Sequence, residues 1–151
     1  KYINYTNHGR DISSQGEIEL SKIVSPNEPF WITNFDRDRV PFYQKPDPIN
    51  NNVVLNADLI FPPLTQNSFG GEVVGCGQRQ NKVIECYKSL KRQNLSPKPY
   101  EWYILLRDMP QYKSTAGFGM GVERYLTWLL CKEDIKDVIP YPRLKNIKTY
   151  P

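Results

Sequence analysis

The chain has 151 residues, which favours a single domain, and its 39% hydrophobic and 24% charged residues are ordinary for a soluble globular protein. The net charge of +4 is mild and spread along the chain, so it permits RNA contact but favours a solvated surface. Three cysteines without metal-site spacing, and no apolar stretch long enough for a membrane span, argue against a zinc centre and a membrane partner and predict a cytoplasmic protein.

The first half of the chain reads mainly as strands. A polar start contains a helix-like segment near 16–24. Aromatic and β-branched residues then predict strands over 30–35, 40–45, 53–61 and 71–79, and a charged turn at 36–39 and prolines after 45 and 61 end the first three. Lys1 is the first residue, and without an initiator methionine we expect the chain to start inside a longer polypeptide.

The second half alternates helices with one more strand. We predict helices over about 80–93, 100–107 and 122–132, and a strand over 115–121. The apolar stripe of the first helix consists of Val83, Ile84, Tyr87 and Leu90. The last helix is expected to bury Val122, Tyr125, Leu126, Leu129 and Leu130. Because the predicted strands come mainly first along the chain and the helices mainly late, the order of elements indicates an α+β fold, with an antiparallel β-sheet flanked by helices.

The strand before the last helix is the most informative segment. Gly117, Gly119 and Gly121 fall on alternate residues, so they share one face and leave a floor of bare backbone. Arg124 follows in the first turn of a helix, where the helix dipole ordinarily favours acidic side chains. An anion held at that point would explain the arginine, and the combination predicts a nucleotide site.

A second glycine-containing segment, 70–79, which includes the strand predicted over 71–79, carries Glu72 and Arg79. Alternation predicts that Glu72 and Val74 share a face. A carboxylate beside a phosphate site can hold Mg²⁺, and an arginine can grip a carboxylate with two hydrogen bonds. The alternative is a surface Glu and Arg on a kinked edge strand, and the segment alone does not decide between the two.

Four further residues are weaker candidates. Asp58 lies in an apolar strand, where it either has a metal or charged partner or faces solvent. Lys45 can reach an anionic substrate but is close to two prolines. Cys76 is interpreted as a small residue lining a pocket rather than a nucleophile, and His8, the only histidine, as a loop residue.

Several segments together resemble the class II aminoacyl-tRNA synthetases, most closely the asparaginyl-tRNA synthetase branch. The segment GFGMGVERYLTWLL, followed by IKDVIPYPR, is similar to the third signature motif of that family and its continuation. The segments that resemble the family elsewhere, in the same order as in its members, are GRDISSQGE, FWITNFDRDRVPFYQKPDP, GGEVVGCGQR and YEWYILLR. The resemblance covers nearly the whole chain.

The resemblance implies a catalytic sheet of six or more antiparallel strands that binds ATP and Mg²⁺. It implies that Arg124 contacts ATP, that Glu72 and Asp58 hold the metal, and that Arg79 reads the amino-acid side chain. The residues expected on the ATP side are Gly117, Gly119, Gly121, Arg124, Glu72 and Asp58. Those expected around the amino acid are Arg79, Gly75, Cys76, Thr115 and Lys45. The implied reaction is attack of an amino-acid carboxylate on the α-phosphate, which forms an aminoacyl-adenylate and pyrophosphate.

The chain departs from the family pattern at three places expected near the amino acid. Thr115 stands where members have a histidine, Leu105 where they have an acid, and Gly75–Gly77 reads Gly-Cys-Gly instead of Gly-Gly-Ser. The first and second family motifs have no counterpart here. We therefore expect the C-terminal portion of a catalytic domain, with the rest and a homodimer interface supplied by the missing N-terminal part.

The resulting function hypothesis is activation of asparagine, aspartate or a relative by an asparaginyl-tRNA synthetase-like ligase, with tRNA as a further partner. Two alternatives remain open. One is a tRNA-independent paralogue, such as an asparagine-synthetase-like or biosynthetic amide ligase. The other is a non-catalytic binding paralogue, against which Glu72, Arg79 and Arg124 argue.

Overall fold

The computed structural model describes residues 2–6 and 9–145, so His8 lies outside the described part. Its strands are β1 (Ile3–Thr6), β2 (Gly9–Ile12), β3 (Phe30–Thr33), β4 (Asn56–Phe61), β5 (Gly71–Gln78) and β6 (Ala116–Met120). Its α-helices are α1 (Ser14–Val24), α2 (Val83–Arg92), α3 (Glu101–Leu105) and α4 (Val122–Leu129). Short 3₁₀ turns cover Lys98–Tyr100, Leu106–Asp108 and Ile135–Asp137. Within these ranges, no helix has the length and apolar character needed to cross a membrane.

The main sheet has four antiparallel strands in the order β3–β4–β5–β6, and β1 pairs with β2 in a separate hairpin. The α+β class with helices around an antiparallel sheet is therefore confirmed, whereas the described sheet has fewer strands than the six or more that the resemblance implies. The strand predicted over 40–45 is wrong. Within that segment only Gln44 forms a bridge, an isolated one with Arg79, since Pro41 inside it and Pro46 directly after it cannot donate ladder hydrogen bonds.

The pairing of β4 with β5 contains a register shift. Asp58 pairs with Gly75, but Ile60 pairs with Glu72, so β5 has one extra residue, Val73, on this stretch. One extra residue reverses the alternation of side chains beyond it. The bulge therefore turns Glu72 to the face of Gly75, and the prediction that Glu72 shares a face with Val74 is wrong.

The hydrophobic core lies between α2, α3 and the irregular segment before β4. Phe42, Cys86, Leu90 and Ile104 form its buried cluster. Helix α2 is confirmed, but its stripe differs from the prediction. Cys86 is fully buried and Ile84 is 56% exposed, because the helix turns its Cys86–Leu90 side inward.

Helix α4 follows β6 directly and contacts the sheet through aromatic side chains. The Trp128 indole donates to the Pro62 carbonyl at 2.7 Å, and its ring lies 4.7 Å from that of Phe61. Because this side of the helix packs on the sheet, the opposite side faces outward. Val122, Leu129 and Leu130 are exposed, so their predicted burial is wrong.

Candidate active site

The floor predicted from β6 extends onto β5. Gly75 pairs with Gly119, and Gly77 pairs with Gly117. Directly paired residues of antiparallel strands point to the same face, so these four glycines form a patch without side chains. A Cβ atom placed at Gly119 would meet no atom within 4 Å, which shows that the space above this part of the floor is open.

Arg124 marks one end of the floor. Gly121 is the N-cap of α4, and a Cβ atom there would lie 3.2 Å from Arg124 Cδ, so the arginine stem crosses the backbone of the glycine. Its Nη1 donates to the Glu72 carbonyl at 2.9 Å and to the Glu72 carboxylate at 3.3 Å. The guanidinium remains half-exposed and has donors left for an anion.

Carboxylates gather beside Arg124. A Cβ atom at Gly75 would lie 2.9 Å from Glu72 Oε1 and 3.2 Å from Asp58 Oδ1, so both acids reach over this glycine. A third acid, Glu17 of α1, accepts a hydrogen bond from the Glu72 amide at 3.0 Å. Burial, reinforced by the nearby charges of Glu72 and Glu17, raises the pKa of Asp58 to about 7.

Glu17 was not identified from the sequence. It lies in the first turn of α1 behind the capping residue Ser13, a position where an acid is ordinary because of the helix dipole. Burial raises the pKa of Glu17, and the hydrogen bond from the Glu72 amide opposes that shift. The role of Glu17 depends on contact between α1 and β5, which no local sequence pattern reveals.

Arg79 marks the other end of the floor. Its Nη1 donates to the Gly77 carbonyl at 2.8 Å and to the Gln44 side-chain oxygen at 3.3 Å. The guanidinium carbon lies 4.9 Å from the ring centre of Tyr43, within range of a cation–π contact. The Arg79 amide donates to the Thr115 carbonyl at 2.9 Å, so Thr115 belongs to this end as well.

Of the two remaining candidates from the sequence, Cys76 lies on the face opposite the floor, and Lys45 contributes backbone hydrogen bonds. Alternation along β5 places Cys76 on the opposite face, where it lines a cavity of about 540 Å³ together with Thr33 and Phe118. The backbone of Lys45 joins the start of β4 to the end of β5, because its amide donates to the Gln78 carbonyl and its carbonyl accepts from the Leu55 amide. Gln44, which was not identified from the sequence, is the residue of this segment whose side chain reaches the floor.

The carboxylates of Glu72 and Asp58 fit a magnesium ion that is shared with a ligand. Magnesium sites of nucleotide-binding enzymes typically use one or two carboxylates, with phosphate oxygens completing the shell. In the described part of the chain, no group of three or more His, Cys, Asp or Glu residues is arranged to hold a metal. Burial, and after it the charges of Glu72 and Glu17, keep the pKa of Asp58 high, and a cation near Gly75 would favour the charged form of this carboxyl.

Comparisons with known proteins agree on one family. The family model of the class II tRNA synthetases (D, K and N) matches residues 8–145. The asparagine–tRNA ligase of Thermoplasma acidophilum is 32% identical over 138 residues, which is 90% of this chain and 30% of that protein. The corresponding ligase of Pelotomaculum thermopropionicum is 40% identical over 118 residues, 77% of this chain and 26% of that protein.

Solved structures give the same result. Asparaginyl-tRNA synthetase from Pyrococcus horikoshii, complexed with asparaginyl-adenylate, aligns with a TM-score of 0.78 at 29% identity, covering 98% of this chain and 32% of that one. The Entamoeba histolytica enzyme in complex with asparaginyl-adenylate gives a TM-score of 0.77 at 30% identity, over 93% of this chain and 30% of that one. The chain thus spans about a third of the length of the relatives it matches.

Proposed function

Because the chain belongs to the class II tRNA synthetases (D, K and N), we propose that its glycine floor takes part in ATP-dependent activation of an amino acid. One observation carries the proposal. The glycine floor, which is open at Gly119, lies between two arginines, Arg124 and Arg79, with the carboxylates of Glu72 and Asp58 reaching over Gly75. This order of cation, acids and cation suits a polyphosphate at one end and an amino acid at the other.

The Arg124 end is assigned to ATP. The open surface at Gly119 accepts a flat ring or a ribose, and Arg124 offers a charge-assisted hydrogen bond to phosphate. Glu72 and Asp58 would hold Mg²⁺, which neutralises phosphate charge when it is bound. Since attack of a carboxylate on the α-phosphate needs little covalent help, positioning and charge neutralisation by these side chains are the main contributions to the rate.

The Arg79 end is assigned to the amino acid. Arg79 is held by Gly77 and Gln44, so its guanidinium is positioned before a substrate arrives. The product of the activation step is an aminoacyl-adenylate, the kind of ligand named for the two solved structures above. We further propose that the chain forms the C-terminal portion of the catalytic domain of a cytoplasmic asparaginyl-tRNA synthetase-like ligase. Transfer to tRNA and a homodimer formed through the other portion are part of this proposal.

A tRNA-independent ligase is a second candidate, because the amino-acid end departs from the family pattern. Gly77 and Thr115, two of the altered positions, both contact Arg79. The altered position Cys76 lies on the other face and gives this candidate no support. In such a paralogue adenylate formation persists but the activated carboxyl group goes to a small nucleophile instead of tRNA.

The decisive experiment is amino-acid-dependent exchange of pyrophosphate into ATP, measured on the natural gene product that carries these residues. Exchange with one amino acid, lost in Arg124→Ala, supports adenylate formation. Addition of tRNA then separates the two ligases, because only the synthetase yields charged tRNA. Absence of exchange with every amino acid and carboxylic acid tested would favour the non-catalytic paralogue.

A further inference from the structure

Both backbone polar groups of Glu72 are hydrogen-bonded to charged side chains. Its amide donates to Glu17 Oε2 at 3.0 Å, and its carbonyl accepts from Arg124 Nη1 at 2.9 Å. The carbonyl of the next residue, Val73, accepts from the Gly121 amide at 2.9 Å. The bulge that turns Glu72 to the floor is therefore held from two sides, by α1 and by the beginning of α4.

The first turn of α1, which carries Glu17, is itself fixed in place. The Ser13 side chain caps the helix by accepting from the Gly16 amide at 3.1 Å, and the Ser13 amide donates to the Tyr2 carbonyl at 3.2 Å. Gly16 is buried, and a Cβ atom there would lie 2.7 Å from the Tyr2 carbonyl oxygen. Because the helix backbone packs this closely on Tyr2, the half-buried carboxylate of Glu17 approaches β5 from a rigid base.

The start of β5 leaves room for this carboxylate. Gly71 has a φ of +123°, a conformation that residues with a side chain rarely adopt. A Cβ atom at Gly71 would lie 3.0 Å from Glu17 Oε2. The glycine thus permits both the backbone turn before the bulge and the approach of Glu17 to the Glu72 amide.

The position of the Glu72 carboxylate matters because it shares the space over Gly75 with Asp58. Oxygens of the two acids lie 2.9 and 3.2 Å from a Cβ atom placed at Gly75. A magnesium ion demands near-ideal octahedral geometry with oxygens at about 2.0–2.1 Å, so a displaced carboxylate binds it weakly. Without Glu17, the peptide group before Glu72 loses its acceptor and can rotate, and the Glu72 side chain moves with it.

We propose that Glu17 is a positioning residue for the divalent cation of this site, because it accepts from the Glu72 amide and so holds the Glu72 carboxylate in place beside Asp58. The inference rests on the proposed function, since it concerns the same site. It assigns Glu17 a hydrogen bond to the protein backbone and not a place among the ligands of the ion. Removal of a group that orients a metal ligand typically weakens metal binding by about 10–100-fold.

Titration of the natural gene product with Mn²⁺ in the absence of ATP, followed by the electron paramagnetic resonance signal of the free ion, measures this effect without any reaction. Manganese takes the same oxygen ligands as magnesium. We expect Glu17→Ala to raise the dissociation constant of Mn²⁺ about 10–100-fold. Glu17→Gln keeps an acceptor oxygen for the Glu72 amide and should retain most of the affinity. Asp58→Asn should also weaken binding, because it removes one carboxylate from the ion.

Glu19→Ala is the matched control for the loss of charge. It makes the same change two residues along α1, where the carboxylate accepts from Gln15 and Lys22. The variant therefore removes a negative charge from the helix without changing the hydrogen bond to Glu72. It should bind Mn²⁺ as the unmodified protein does.

Ser89→Ala is the control for a general loss of stability. The Ser89 hydroxyl, which is buried in α2, accepts from Arg37 at 3.0 Å and from Gln80 at 2.8 Å, so its removal destabilises the fold away from the bulge. A melting curve of each variant identifies any loss of fold, and Mn²⁺ affinity is compared well below the melting temperatures. Glu17→Met, which has a similar size but no oxygen, replaces Glu17→Ala if the alanine variant does not fold.

Five results would each overturn the proposal. Three concern the variants of α1 and α2: Glu17→Ala binds Mn²⁺ as tightly as the unmodified protein, Glu17→Gln loses as much affinity as Glu17→Ala, or either control loses as much. The other two concern the site itself: the unmodified protein binds no Mn²⁺, or Asp58→Asn keeps the full affinity.

The exchange assay on the same preparations separates this inference from the proposed function. We expect Glu17→Ala to need more Mg²⁺ for half-maximal exchange and to keep its maximal rate at saturating Mg²⁺, a split that a loss of folded protein does not produce. Mn²⁺ binding that depends on Glu17, without any pyrophosphate exchange, contradicts the activation reaction but retains the positioning role. Exchange with the same Mg²⁺ dependence in Glu17→Ala, together with unchanged Mn²⁺ affinity, retains the activation reaction but contradicts the positioning role.

Discussion

Nη1 of Arg124 donates to the backbone carbonyl of Glu72 at 2.9 Å and to the carboxylate of the same residue at 3.3 Å. The two residues come from α4 and β5, and the bulge at Val73 is what turns the Glu72 side chain toward the arginine. A cation and an acid thus hold each other over the floor in advance of a ligand. Preorganised charges of this kind require little rearrangement when a phosphate group arrives.

Arg124→Ala is predicted to abolish amino-acid-dependent pyrophosphate exchange, because it removes the cation assigned to ATP and leaves Glu72 without its partner. Loss of a preorganised donor to a developing charge typically costs about 100-fold or more in rate. Arg124→Lys should retain part of the activity, since it keeps the charge but loses the planar fork of donors.

Lys132→Ala, an exposed cation just beyond α4, is the control for this change and should leave exchange unaltered. The exchange rate of each variant, together with its melting temperature, checks the prediction. An Arg124→Ala protein that exchanges at the original rate would show that ATP does not depend on this end of the floor.

The substitution Gly119→Val is expected to block ATP binding at the floor without destabilising the fold. The space above Gly119 is open and valine is favoured in strands, so we expect the melting temperature to stay the same or to rise slightly. The added side chain would nevertheless stand where ATP is proposed to lie, and ATP binding measured by calorimetry should be lost. Ala116→Val, on the same strand but the opposite face, should leave ATP binding intact. Retained ATP binding in a folded Gly119→Val protein would place the nucleotide elsewhere.

The sequence predicted the parts of the site that depend on alternation along a single strand. Gly117, Gly119 and Arg124 were identified because each follows from its own segment, and the structure places them on one continuous surface. The side of β5 on which Glu72 lies could not be predicted in this way. It depends on the pairing partner, because the bulge forms between β4 and β5 and has no mark in the sequence of either strand.

Gln44 and Glu17 show a second limit of the sequence. Each reaches the floor from a segment that is distant along the chain. Each also has an ordinary local setting, since Gln44 lies in a loop between two prolines and Glu17 lies in the first turn of a helix.

The exposed side of α4 has a similar cause. Its apolar period predicts a buried stripe, but the sheet contacts only the side that carries Tyr125 and Trp128. Which face of α4 is covered depends on tertiary packing, and the apolar periodicity of its sequence does not determine that packing.

Glu17→Ala is predicted to destabilise the fold by about 1–3 kcal/mol, because the part-buried Glu72 amide loses its hydrogen-bond acceptor. Glu17→Gln keeps an acceptor oxygen, so it should lower the free energy of unfolding by clearly less than Glu17→Ala does. Urea unfolding measures both free energies, and Glu28→Ala, an exposed acid after α1, serves as the control. Equal losses for Glu17→Ala and Glu17→Gln would mean that the charge, and not the hydrogen bond, makes the contribution.

Asp58→Asn tests the crowding of carboxylates over Gly75 in the metal-free protein. Burial and the charges of Glu72 and Glu17 raise the pKa of Asp58 from 3.8 to about 7, so the folded state holds a proton that the unfolded chain has already released. Between about pH 4 and pH 7 the native state therefore binds more protons, and the stability contributed by Asp58 is lost as the pH rises through the folded-state pKa.

An asparagine at this position carries no charge, so Asp58→Asn should flatten that decline. The free energy of unfolding of Asp58→Asn should equal that of the unmodified protein near pH 4 and exceed it by on the order of 1 kcal/mol at pH 8. This difference is smaller than the pKa shift alone implies, because Asp58 is only half-buried and solvent screens its charge. Urea unfolding across this range with a chelator present provides the measurement, and Asp108→Asn, an exposed acid beyond α3, provides the control. Parallel pH profiles for Asp58→Asn and the unmodified protein would show that Asp58 is charged in the folded state throughout.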